Sequence, residues 1–172
     1  MRLRAYPGGV ASLGVHFAVG DEVARRLAGV DGDDELEALV EEIEEDSLDV
    51  EHFDTDKAWD AIHRSLTDGQ LEYDNGEYPL NAVILGGDQL HKGDDYVVGL
   101  LPPAQVREVA DALADVDRDR LRAGYDQIDA GDYDNDVGDE DFDYTWAGFD
   151  GLPAFFRRAA DAGLTVIFTV AV

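Results

Sequence analysis

The sequence holds four histidines, His16, His52, His63 and His91, and imidazole is the side chain whose ordinary pKa lies near neutrality. One of them sits where chemistry is possible. Trp59, Ile62, His63 and Leu66 recur at helical spacing, which puts the imidazole on an inward stripe beside an indole. Two readings stay open. In the structural one, His63 is neutral and hydrogen-bonds a carbonyl or carboxylate across the core, because a buried polar group without a partner costs about 1–3 kcal/mol. In the functional one, Trp59 and His63 line a cleft with Lys57 or Asp60 at its mouth. The imidazole would there bind an anion or act as a general base. Nothing adjacent in the sequence supplies an obvious nucleophile.

A second constellation is Asp132, Asp134 and Asp136, spaced like the first ligands of an EF-hand-type loop. Such a loop needs glycine at its sixth position, where Val137 stands; Gly138 comes one residue late. The motif fails as written, and only weak divalent-cation binding over 132–143 is kept as an expectation. The histidines lack the His-x-x-x-His spacing of zinc hydrolases, and there is no G-x-S-x-G elbow, phosphate-binding G-x-x-x-x-G-K loop or G-x-G-x-x-G turn. Cysteine is absent, which excludes disulfides and thiolate chemistry. No cofactor is expected.

Charge narrows the partners. Forty acidic against 13 basic residues leave a net charge of −27. That field repels phosphate backbones and anionic membranes, so neither nucleic acid nor a membrane surface is expected, and it attracts cations or a basic protein. A surface adapted to high salt explains the same charge. The opening run is broken by Pro7, Gly8, Gly9 and Gly14, too early for a signal peptide, and no apolar stretch approaches the roughly 20 residues of a membrane span. A soluble, cytoplasmic protein is expected.

These side chains need elements to hold them. Residues 1–10 read as a loose leader, and Ser12–Ala18 as a strand. Asp21–Gly29 reads as a short helix. Leu36, Leu39, Val40 and Ile43 then mark an amphipathic helix with acids in its first turn. A helix over 56–67 carries His63. Tyr96–Leu101 reads as a buried strand; Pro103 opens a helix with Val106, Val109, Ala110 and Leu113 on one face. Residues 126–150 read as a long irregular acidic loop anchored by Tyr133, Phe142, Tyr144, Trp146 and Phe149. Leu152, Phe155, Phe156 and Ala159 mark the last helix, and Thr165–Ala171 a central strand.

Asp56-Lys57-Ala58-Trp59, then His63 and Leu66-Thr67, resemble a motif of the YfbM-like proteins, a bacterial family of unknown function. The likeness continues through Leu85-Gly86-Gly87, the Tyr96–Leu101 strand with its proline-capped helix, and Phe155-Phe156, Ala159-Ala160 and Gly163. It runs from Ser12 to Val172. The resemblance implies a compact mixed α/β domain and carries no activity. The leader and the acidic loading of 126–150 depart from it.

The expected fold is therefore α+β (mixed α/β): one domain over 11–172, with a small central sheet covered by about five or six helices. The expected function is a non-enzymatic binding protein whose acidic segments, 31–60 and 126–150, face a basic protein partner, as in inhibitor or immunity proteins. The alternatives are a small-molecule site or weak hydrolase around Lys57, Trp59 and His63, and a cation-binding loop at 132–143.

Overall fold

The computed structural model of the chain describes residues 12–46 and 50–172, and the leader read in 1–10 lies outside them. Strand β1 (Gly14–Val19) leads into helices α1 (Asp21–Ala28) and α2 (Asp33–Glu45). Strand β2 (His52–Asp56) then turns into α3 (Trp59–Leu66). A 3-10 turn (Leu80–Ala82) precedes β3 (Asp88–Gln89) and β4 (Tyr96–Leu101). Helices α4 (Pro103–Leu113), α5 (Arg118–Tyr125), α6 (Asp139–Phe149) and α7 (Leu152–Asp161) follow, and β5 (Thr165–Ala171) completes the series. The fold is α+β.

The strands lie in the order β2-β1-β5-β4-β3, each pair antiparallel. The β-branched run of β5 occupies the middle. Its side chains alternate: Val166, Phe168 and Val170 join the core under α3 to α7, and Ile167 joins the core under α1 and α2. A strand buried on both faces reads as a continuous apolar run, which is why its period is invisible in the sequence. Val97 and Leu101 of β4 face the larger core, Val98 and Leu100 the smaller one.

Two expectations need correction. Residues 139–149 form α6 rather than irregular loop. Asp139, Glu140 and Asp141 occupy its first turn, where the helix dipole favours carboxylates, while Phe142, Thr145 and Phe149 are buried at helical spacing. Of the expected anchors, Tyr133, Phe142 and Phe149 are buried and Trp146 is half-buried, but Tyr144 is 42% exposed. The Tyr125 and Tyr133 hydroxyls both donate to Asp141 Oδ2, at 2.7 and 3.0 Å, and pin the segment before α6. The second correction is that the helix expected from residue 56 begins at Trp59, and His52–Asp56 is an edge strand.

Candidate functional site

The β2–α3 junction builds the region around His63. Thr55 is buried and its Oγ1 donates to the Gly14 carbonyl at 2.7 Å, locking the edge strand to β1. Asp56 takes a left-handed conformation, φ 51°, which aspartate tolerates better than most residues. Its N–H donates to Asp54 Oδ1 at 2.6 Å. The chain turns there and enters α3, and Lys57 donates its backbone N–H to the Tyr144 hydroxyl at 3.2 Å.

Trp59 packs on the sheet. Its Nε1–H donates to the Ser12 carbonyl at 3.1 Å, and its ring centroid lies 6.2 Å from that of Phe168. The approach is so close that a Cβ on Gly14 would stand 2.8 Å from the Trp59 Cβ. Glycine is required there for contact.

His63 is 1% exposed. Its Nε2 lies 2.9 Å from the Glu72 carbonyl and 2.8 Å from Asn75 Oδ1. Both partners accept, so Nε2 carries the proton; the tautomer follows from the network. Asn75 Nδ2 in turn donates to Thr67 Oγ1, Asp68 Oδ1 and the Gln70 carbonyl, while Thr67 Oγ1 donates to the His63 carbonyl. The imidazole thus straps residues 67–75 onto the end of α3. Burial pushes its pKa below the ordinary value, against the opposing hydrogen bonds to Asn75 and Glu72. Its Nδ1 has no partner among the described residues.

The three residues expected to share a pocket are divided. Trp59 is buried against the sheet and His63 against the 67–75 turn, whereas Lys57 is exposed at the elbow. Surface depressions lie between α1 and α2, between the Gly86-Gly87 turn and Tyr73-Asp74, and over the sheet face beside α2. Among the described residues, no three histidine, aspartate or glutamate side chains are placed to hold a metal ion, so Asp132, Asp134 and Asp136 are not gathered as a ligand set.

Two groups of the interior escape a reading by motif. Arg64 is 3% exposed. Its Nε donates to Asp60 Oδ1 at 2.5 Å and its two terminal nitrogens to Gly69 O, Asp132 Oδ2 and Asp132 O, with Tyr133 under the guanidinium at 5.5 Å. Asp60 therefore faces this cation rather than a cleft mouth. Burial pushes its carboxyl up, against the pull of Arg64. The Asp60–Arg64 spacing of four on a helix with few exposed positions is the signal that could have found it. His16 is fully buried among Phe155, Phe156 and Phe168. Its Nε2 donates to the Val83 carbonyl at 2.7 Å, and burial lowers its pKa to about 4, against that hydrogen bond.

The fold and its sequence pattern recur in known proteins. The model of DUF1877, a domain of unknown function, matches residues 11–169. The chain belongs to the DUF1877 family. A solved structure of the Escherichia coli protein of unknown function YfbM superposes with a TM-score of 0.67 at 20% identity, covering 92% of this chain and 99% of that one. The likeness shows that this DUF1877 domain has the YfbM fold. No curated protein matches it. Among the described residues, no helix is long and apolar enough to cross a membrane.

Proposed function

We propose that this DUF1877 domain is a non-enzymatic binding module that holds a basic protein partner on its acidic surface, in a cytoplasmic setting and away from nucleic acid and membranes. The observation that carries the reading is the outer face of α2. The helix buries Leu36, Leu39, Val40 and Ile43 and turns Asp34, Glu35, Glu37, Glu41, Glu42, Glu44 and Glu45 outward. Its last turn is acidic and holds no basic residue, although carboxylates at that end oppose the helix dipole by about 0.3–1 kcal/mol each. Packing does not require this, because any polar residue would serve at an exposed position. The acidic turn therefore carries more negative charge than the packing of the helix requires.

Association with a small basic protein, followed by calorimetry, tests the reading. Raising salt from about 0.1 to about 1 M shortens the screening length from roughly 10 to 3 Å. The affinity is expected to fall by more than about tenfold. An affinity indifferent to salt refutes it.

A second reading, a small-molecule site or weak hydrolase at Lys57, Trp59 and His63, is favoured by one observation, the unpartnered His63 Nδ1. If small molecules reach it, diethyl pyrocarbonate modifies His63 in the native protein. Protection of His63 while exposed His52 reacts rules it out.

A further inference from the structure

Among the described residues, helices α1 and α2 cover one face of the sheet only in part. Beyond the end of α2 lies an open shelf of about 450 Å³. Val15 and Phe17 of β1, Tyr96 of β4 and Thr169 of β5 make its floor, and Leu13, 46% exposed, stands at its margin. The carboxylates that line it are Glu44 of α2 and Asp54 of β2, with the imidazole of His52 beside them. Two nearby carboxylates are answered by arginines: Arg26 pairs with Glu42 and Arg158 with Glu51. Among the described residues, no basic side chain does so for Glu44 or Asp54.

Among the described residues, the carboxylates of the shelf accordingly face no lysine or arginine. Burial, and then the neighbouring Glu41, push the Glu44 carboxyl above its usual range. The Tyr96 hydroxyl is pushed up to about 12, by burial first and then by Glu44, Glu37 and Glu41. An arriving cation relieves that repulsion while an apolar group covers the floor. Small-molecule sites enclose most of their ligand, and a shelf open on one side does not. A protein segment can cover it.

Resting on the binding-module reading, we infer that this open half of the sheet face is the seat of the basic partner. The partner places an apolar side chain over Val15, Phe17 and Tyr96, between lysine or arginine residues that meet Glu44 and Asp54. Apolar contact supplies affinity that salt does not remove, and the two carboxylates fix the register.

Two fluorescein-labelled peptides of equal charge test this by anisotropy at about 0.1 M salt: three repeats of Arg-Leu and three of Arg-Ser. The Arg-Leu peptide is expected to bind more tightly. The double variant E44K/D54K, at exposed positions and checked for folding by circular dichroism, is expected to weaken it by about tenfold or more. The double variant D136K/E140K, with the same change in net charge on another face, is expected to alter it by less than about twofold. Ala171→Gln, which fills part of the shelf with an uncharged polar side chain and leaves both carboxylates in place, is expected to weaken the Arg-Leu peptide and not the Arg-Ser peptide. Equal binding of the two peptides, or equal losses in the two double variants, overturns the shelf as the seat and leaves the broader reading standing. Binding of neither peptide overturns both.

Discussion

His16→Phe isolates the contribution of one buried imidazole to the pH dependence of stability. His16 is fully buried, its ring stands among three phenylalanines, and its pKa is lowered from 6.5 to about 4 by burial. A base whose folded pKa is depressed contributes stability that is intact above its unfolded pKa, and that stability drains away as pH falls from about 6.5 toward 4. The unfolded chain takes up the proton first. At 1.36 kcal/mol per unit, the loss reaches about 2 kcal/mol by pH 5 and about 3 kcal/mol at and below pH 4. Phenylalanine fills the same space and does not titrate, but it leaves the Val83 carbonyl without its donor, which costs about 1–3 kcal/mol at neutral pH. The variant is therefore less stable than the parent at pH 7.5, and the gap narrows or reverses by pH 5. Urea denaturation followed by circular dichroism measures it. Taking the difference between the two proteins at each pH cancels the carboxylate titration, which is large in a chain of net charge −27. A stability difference constant from pH 7.5 to 5 would mean that His16 is not held neutral in the fold, and the argument from burial would be wrong.

Three further outcomes follow from the interior of the helical layer. Asn75→Ala removes one of the two acceptors of His63 and the clasp over residues 67–75, and is expected to cost about 1–3 kcal/mol by chemical denaturation. Arg64→Met leaves the half-buried Asp60 without its cation and is expected to cost about 3–5 kcal/mol; a loss below about 1 kcal/mol would show the pair to be solvated. Gly124→Ala places a Cβ 1.8 Å from the Ser65 carbonyl oxygen, where α5 meets α3, and is expected to cost about 1–3 kcal/mol of overpacking or more, read as a lower thermal midpoint, whereas Gly32→Ala, with open space around it, leaves the midpoint little changed.

The inward aim of His63 was legible because α3 carries a clean stripe in which one polar residue interrupts three apolar ones. The YfbM-like motif was legible for the same local reason: its residues sit on one elbow and the helix that follows it. Strand β2 was not legible. It is five residues long, sits at the sheet edge, and shows inward period only at Phe53 and Thr55, between acids facing solvent. Helix α6 was hidden because its first turn is acidic for electrostatic reasons, so composition masked the Phe142 and Phe149 spacing. Arg64 and His16 were hidden because their partners are backbone carbonyls and side chains distant in sequence, Val83 in one case and Asp132 in the other. Spacing shows which way a side chain points and not what waits for it there.

The placement of β5 between β1 and β4 also bears on how the molecule is assembled. Val15 lies opposite Thr169 and Val98 opposite the same residue from the other side, so one late segment joins two hairpin-like halves that otherwise share no strand pairing. During synthesis, the early half and the later half must each wait on the ribosome with an exposed edge until residues 165–171 emerge. Folding should then be slow to begin and all-or-none once it does, because the contacts that complete the sheet span nearly the length of the described chain. Until that strand arrives, both unpaired edges are open to pairing with neighbouring chains, and the dense negative charge that repels like molecules would keep these half-made intermediates apart.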